Sequence, residues 1–281
     1  MMNRIILPTD FSENALHAIR YCHEIFTGEQ VEWVLLNTFG ADLYTSAATM
    51  GLRADSAVMD EYHEMSMGKL QKLREQLQEE YRQEGFTYDL VSRYDFLPDA
   101  INFLIAQKPV YLVAMGTQGA TGAKELFFGS NAVRVMEVVT QVPILAIPER
   151  SPAVVPRKIA LATTYTDLPV HSQLDVLTAM ADRFDAEITM IHISEEVHLS
   201  DKQKKFRDRM QENLSKYDPA LYTLAHKKVD KAVAEYIEST NTDILALISR
   251  KHSFFKSLLK KSVLKDLGYH SKIPLFVMHH Q

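Results

Sequence analysis

Short apolar runs alternate with longer amphipathic stretches along this chain, and the whole alternation occurs twice. The first run, Arg4-Ile5-Ile6-Leu7-Pro8-Thr9-Asp10, is apolar until its polar end, as expected of a strand buried on both faces. Ala15, Ile19, Cys22 and Phe26 then recur at helical spacing. A strand is predicted over 34–38, a loop rich in small residues before residue 55, and a long polar helix over about 55–84. A strand over 88–94, a helix over 98–106, a very apolar strand over 110–115 and a helix over about 131–139 follow. The unit closes on Val142-Pro143-Ile144-Leu145-Ala146-Ile147.

The second half repeats this order. Lys158-Ile159-Ala160-Leu161-Ala162-Thr163-Thr164 matches the first strand, and Leu174, Leu177, Met180 and Ala181 mark the helix after it. A strand over 188–192, a basic helix over about 201–216, a strand over 222–228, a helix over 231–240 and a strand over 244–248 come next. A last helix leads to Ile273-Pro274-Leu275-Phe276-Val277-Met278. Strands alternating with helices predict parallel sheets covered on both faces and joined by right-handed crossovers. The expected fold is α/β, with two repeated doubly wound domains of five parallel strands each. The expected domains are 1–149 and 157–281. A linker over 150–156 is marked by Pro148, Pro152 and Pro156.

Composition narrows the function classes. The chain has 281 residues, 46% of them apolar and 24% charged, the profile of a globular protein. A net charge of -5 gives no argument for nucleic acid or anionic membranes as partners. No apolar run reaches the roughly 20 residues of a membrane span, and the N-terminus runs into a strand without a signal-peptide pattern. A single cysteine, Cys22, excludes an internal disulfide. These readings predict a cytoplasmic protein.

The candidate chemistry lies after the fourth strand. Met115-Gly116-Thr117-Gln118-Gly119 is followed by nine residues, then by Gly129-Ser130-Asn131-Ala132 at the mouth of a helix. Glycines at a strand end can take positive φ and admit a ligand close to the backbone. The first N–H groups of the next helix, with its dipole, make an anion site, and Ser130 adds a hydroxyl. In a doubly wound sheet, ligands bind beyond the carboxyl ends of the strands, which places Asp10 on the opposite wall. Its carboxylate suits ribose hydroxyls or a base amino group better than phosphates. Asp10 or Ser12 also reads as an N-cap before Glu13-Asn14-Ala15, and the two roles are compatible. No Gly-Lys-Ser/Thr follows the glycines, so this is not a P-loop.

Gly116-x2-Gly119-x9-Gly129-Ser130, with a first strand ending Pro8-Thr9-Asp10 before Phe11-Ser12, resembles the nucleotide-binding signature of the universal stress proteins. The final strand Val142-Pro143-Ile144-Leu145 is similar to theirs, and the resemblance extends over the chain as two fused copies. It implies the adenine nucleotide alpha hydrolase-like fold and ATP as ligand, with or without Mg2+. It further implies that Pro8, Thr9, Asp10 and Thr38 face the adenosine. Met115, Gly116, Gln118 and Gly119 would line the loop, and Gly129, Ser130, Asn131 and Ala132 would hold the phosphates. This chain has Asn37 where many members carry His, and Gln118 where many carry His or Arg. Single-copy members pair through their last strands. Strands 143–147 and 274–278 are thus expected to form an intramolecular pseudo-dimer, with a further homodimer left open.

The second half departs from the motif. Aligning Pro274 with Pro143 puts Lys260 and Lys261 at the Gly129 and Ser130 positions. The loop Ser249-Arg250-Lys251-His252-Ser253 has no glycine, and Thr163-Thr164-Tyr165 stands in for Pro-Thr-Asp. No ATP is expected there. Lys251, Lys256, Lys260, Lys261 and Lys265 read as a solvated basic face or, alternatively, as a site for an anion or an acidic partner. Cys22 reads as a core residue, His192 as structural, and His279-His280 as an exposed terminal pair that makes no metal site. The expected function is a nucleotide-dependent regulatory or protective protein of the stress response with unidentified protein partners. The alternatives are a slow ATPase or nucleotidyl-transferring enzyme, for which no general base is evident, and a ligand-free interaction adaptor.

Overall fold

The structure, a computed structural model, describes residues 2–40, 56–82, 85–118, 128–152, 154–194, 198–225, 229–249 and 273–280. The first half runs β1 (Asn3–Pro8), α1 (Glu13–Ile25), β2 (Val31–Phe39), α2 (Ser56–Glu80), β3 (Phe86–Tyr94), α3 (Leu97–Gln107), β4 (Leu112–Gly116), α4 (Ser130–Val138) and β5 (Ile144–Ile147). The second runs β6 (Lys158–Thr163), α5 (His171–Phe184), β7 (Glu187–Ser194), α6 (Asp201–Asn213), β8 (Ala220–Ala225), α7 (Val229–Thr240), β9 (Ile244–Ser249) and β10 (Leu275–His279). The small-residue loop before 55, Gly119 with most of the nine-residue spacer, and the basic lysines 251–265 lie outside the described residues.

Among the described residues, ten strands join one sheet in the order β3-β2-β1-β4-β5-β10-β9-β6-β7-β8. Each half has the same doubly wound order and is parallel throughout. The halves meet antiparallel, with Leu275 opposite Ala146, Phe276 opposite Leu145 and Val277 opposite Ile144. An unpaired β5 or β10 would expose a short, largely apolar edge; pairing the two removes both edges. The matching of Pro143 with Pro274 holds in space. Val113 donates its N–H to the Pro143 carbonyl and Leu245 to the Pro274 carbonyl, each at 3.1 Å.

Alternate residues of each strand enter different cores, as the pleat requires. Ile5, Leu7, Trp33, Leu35, Leu145 and Ile147 join the layer with α1, α2, α5 and α6. Ile6, Val34, Leu36, Val113, Met115 and Ile144 join the layer with α3, α4 and α7. β3 starts at Phe86, earlier than its composition suggests, because it pairs with β2 from Val31–Phe86 to Phe39–Tyr94.

The apolar face of α1 is wider than its 3.6-residue pattern implies. Ala15, Ile19, Cys22 and Phe26 are buried as expected, but so are Tyr21 and His23. The His23 ring stacks on Trp33 at 4.3 Å and lies 4.7 Å from the ring of Tyr81, just beyond α2. Its Nδ1–H donates to the Ile19 carbonyl, and the Tyr88 hydroxyl donates to Nε2, both at 2.9 Å. Burial holds its pKa down at about 4 and pushes the Cys22 thiol far up. The halves are tied at one corner by Arg183 of α5, whose Nε donates to the Ile25 carbonyl at 2.9 Å. Its other nitrogens reach the Thr27 carbonyl and the Glu29 carboxylate, so a cation sits on the carbonyl end of α1.

Candidate functional site

A cleft of about 690 Å³, counting its space open to solvent, lies beyond the carboxyl ends of β1 and β4. Chain connections leave this pair of strands in opposite directions, so the cleft occupies the switch point of the first half. Pro8, Thr9, Asp10 and Thr38 line one side, and Met115, Gly116 and Gln118 the floor. Gly129, Ser130, Asn131 and Ala132 close the other side. The sequence-selected residues are thus gathered around one cavity, Gly119 alone lying outside the described residues. Ala15, Leu97 and Thr117 also line it and were not singled out by the sequence.

The β1 wall is shaped by a tight local turn. Phe11 has φ 64°, rare for a residue with a side chain. Thr9 supports it by accepting the Phe11 N–H on Oγ1 at 3.0 Å. Asp10 accepts the Ser12 N–H at 3.1 Å, and Ser12 Oγ caps α1 by accepting the Ala15 N–H at 3.3 Å. The cap is therefore Ser12, while the exposed Asp10 carboxylate holds the preceding turn and borders the cleft. Behind the wall a buried polar chain fixes the end of β1. Ser92 Oγ donates to Ser66 Oγ and Ser66 Oγ to Asn37 Oδ1, each at 2.7 Å. Asn37 Nδ2 then donates to the Thr9 carbonyl at 2.7 Å.

The floor corrects one expectation. Gly116 lacks a positive φ, and the group that requires a glycine there is a protein side chain. A Cβ on Gly116 would stand 2.9 Å from Asn14 Cγ and 3.0 Å from the Asn14 carbonyl oxygen. Asn14 Oδ1 accepts the Gln118 N–H at 2.8 Å, and Nδ2 donates to the Ile147 carbonyl at 3.5 Å. Asn14 thereby ties α1 to the β4 turn and to β5. Thr117, in the unspecified part of the glycine motif, is 1% exposed, and its Oγ1 has no partner among the described residues.

The far wall is the start of α4. Gly129 is its N-cap, in extended conformation (φ -67°, ψ 159°), and supplies no side-chain cap. Its own N–H donates to the Thr117 carbonyl at 2.6 Å, which closes the returning chain onto the β4 turn. The N–H groups of Ser130, Asn131 and Ala132 have no intrahelical acceptor by construction. Among the described residues nothing else accepts from them. They border the cleft with the positive end of the helix dipole behind them.

The corresponding place in the second half is built differently. Thr163 Oγ1 accepts the Tyr165 N–H at 3.0 Å, and Tyr165 has φ 54°, as Thr9 and Phe11 do in the first half. The register is thus Ala162-Thr163-Thr164 for Pro8-Thr9-Asp10, as the match of Lys158–Thr164 to Arg4–Asp10 implies and one residue earlier than Thr163-Thr164-Tyr165, and Thr164 replaces the carboxylate. His192 takes the role of Asn37, with Nδ1–H donating to the Thr163 carbonyl at 3.2 Å and its ring stacked on Tyr165 at 4.8 Å. Burial lowers its pKa. Ile248 stands opposite Met278 as Gly116 stands opposite Ile147, so a branched side chain replaces the glycine.

The model of the universal stress protein family matches residues 1–148. The chain belongs to this family. No curated protein matches the sequence significantly. Among solved structures, a universal stress protein from Archaeoglobus fulgidus DSM 4304 is similar, with TM-score 0.65 and 17% identity over 100% of both chains. A putative universal stress protein from Pseudomonas aeruginosa UCBPP-PA14 follows, with TM-score 0.53 and 12% identity over 99% of this chain and 94% of the other. A functionally unknown protein from Pseudomonas aeruginosa PAO1 has TM-score 0.56 and 11% identity over 99% and 93%. At these identities the likeness concerns the fold, which this universal stress protein shares over its full length. No helix among the described residues is long and apolar enough to cross a membrane.

Proposed function

We propose that the first-half cleft binds ATP and that the chain works as a nucleotide-dependent regulatory protein of the cytoplasm. The observation that carries this reading is the start of α4, where three N–H groups without acceptors among the described residues border a cleft at the switch point of the sheet. The buried, unpartnered Thr117 Oγ1 in the same cleft is a further donor that a phosphate oxygen would satisfy. Ser130, Asn131 and Ala132 would hold the phosphates, with or without Mg2+. Asp10 and Thr38 lie on the opposite side, where a ribose and base would be received. The bound nucleotide supplies the negative charge that this helix end attracts.

Binding fits the residues better than catalysis. Among the described residues lining the cleft, Asp10 is the one carboxylate, and no histidine, lysine or arginine accompanies it. The Asp10 oxygen that accepts from Ser12 N–H is held in the turn, and on this reading Asp10 would meet the nucleoside rather than the phosphates. Calorimetry with ATP on the intact chain and on Gly129→Lys tests the reading, together with analysis of nucleotide retained through purification. Saturable binding lost in the variant supports it. Absence of binding, or equal binding by the variant, overturns it. Capture of different cell proteins with and without ATP tests the regulatory part.

A further inference from the structure

The helix that offers its N-terminus to the cleft is held at its other end by the second half of the chain. The last four carbonyls of a helix have no intrahelical donor, and Met136 is among them in α4. His279, on β10, donates Nε2–H to the Met136 carbonyl at 3.0 Å. Gln173, in the first turn of α5, donates Nε2–H to the Thr140 carbonyl just beyond α4 at 2.8 Å. The same Gln173 accepts the backbone N–H of His279 on Oε1 at 2.7 Å. The three bonds close a loop between β10, α5 and the trailing end of α4. Gln173 and His279 are 1% and 4% exposed. The closing histidines are therefore not an exposed pair, since His279 is a core residue of the last strand. Burial lowers its pKa, and the hydrogen bond to Met136 opposes this; a neutral ring has a single N–H to give, and Met136 receives it.

We infer that Gln173 and His279 are positioning residues for the nucleotide site: they set the placement of α4 and thereby the affinity of the first half for phosphate groups. This rests on the nucleotide reading above. The route is short. Met136 lies six residues from Ser130, about 9 Å along a rigid helix, and Met136 itself is fully buried. A shift of the trailing turn displaces the leading N–H groups by a similar amount. The β1 wall, which would receive the nucleoside, takes part in none of these three bonds.

That asymmetry supplies the test. Affinities for ATP and for adenosine are measured on the full-length chain and on Gln173→Leu, His279→Leu, His279→Gln and His279→Asn. Thermal melts establish which variants are folded. His279→Gln can keep a donor near the Nε2 position, whereas His279→Asn is too short to reach it. The expected result is a loss of ATP affinity of roughly three- to tenfold in Gln173→Leu, His279→Leu and His279→Asn, the range of one or two hydrogen bonds. Adenosine affinity should change less than about twofold, and His279→Gln should stay near wild type. If His279→Leu does not fold, the Asn and Gln variants decide. Unchanged ATP affinity in folded His279→Asn and Gln173→Leu overturns the inference, as does an equal loss for ATP and adenosine. Failure of the wild-type chain to bind ATP overturns instead the nucleotide reading on which it rests.

Discussion

Asn14 occupies the space that a side chain on Gly116 would need, and uses it to hold the turn that follows. Its Oδ1 accepts the Gln118 N–H at 2.8 Å, and its Cγ lies 2.9 Å from the position of a Cβ on Gly116. Gly116→Ala must push Asn14 aside or distort the end of β4. A destabilisation of about 1–3 kcal/mol is expected from such overpacking. Asn14→Ala in the same chain should recover part of it, because the clash partner is gone although the Gln118 bond is lost. Urea unfolding of the single and double variants measures this coupling; strictly additive losses would show that the two residues do not compete for space.

The proposed phosphate site can be probed at the first helical residue of its far wall. Ser130 is the first residue of α4, where proline is well tolerated and its missing N–H breaks no helical bond. Gly129 already has the extended conformation that a following proline requires. Ser130→Pro should therefore change stability by less than about 1 kcal/mol while removing two donors, the backbone N–H and the side-chain hydroxyl. The expected loss of ATP affinity is roughly tenfold or more, the value of a hydrogen bond to a charged group. Ser130→Ala, which keeps the N–H, should lose less. Equal affinities for Ser130→Pro and wild type would mean that this N–H does not meet the ligand.

Much of this arrangement was legible in the sequence, and the reasons for the exceptions are specific. Continuous apolar runs marked buried parallel strands, and Pro143 and Pro274 gave the correct correspondence between the halves. The residues around the cleft were legible because a strand end, a glycine turn and a helix start recur at a fixed spacing. The reason for Gly116 was not legible. It depends on Asn14, which is distant in the chain and polar at the start of a helix, where it looks like ordinary capping. His23 was hidden for a related reason: its partners Trp33, Tyr81 and Tyr88 come from three other segments. The motif was offset by one residue at Thr163 because Tyr165 was set against Asp10, and only its positive φ identifies it with Phe11.

His23 gives the fold a defined response to acid. In the unfolded chain its pKa is the ordinary 6.5, and in the folded protein burial lowers it to about 4. Between these limits the unfolded state binds more protons, so stability should rise with pH from about 4 to about 6.5 and fall on acidification. A separation of this size corresponds to about 3 kcal/mol. His17, His192 and His279 are shifted in the same direction and steepen the dependence. His23→Phe keeps a ring against Trp33 but removes the proton, so its stability should vary less with pH. Urea unfolding between pH 4.5 and 7.5 compares the slopes; identical slopes would refute the assignment to His23.

On the reading proposed above, the intact chain should bind one ATP. The two halves share a strand order, and even the Thr9–Phe11 turn recurs at Thr163–Tyr165, so backbone topology alone would allow two sites. Three side chains argue against the second. Ile248 stands at the Gly116 register and puts a branched group at the strand end. Thr164 replaces Asp10 and removes the carboxylate proposed for the nucleoside. Tyr165, 2% exposed, is buried against His192 and unavailable to a ligand. Calorimetry should give a stoichiometry near one for wild type and no residual site in Gly129→Lys, a change confined to the first half. Two sites per chain, or one surviving in the variant, would show that the second half accommodates a nucleotide despite Ile248 and Thr164, and that the carboxylate at Asp10 is dispensable.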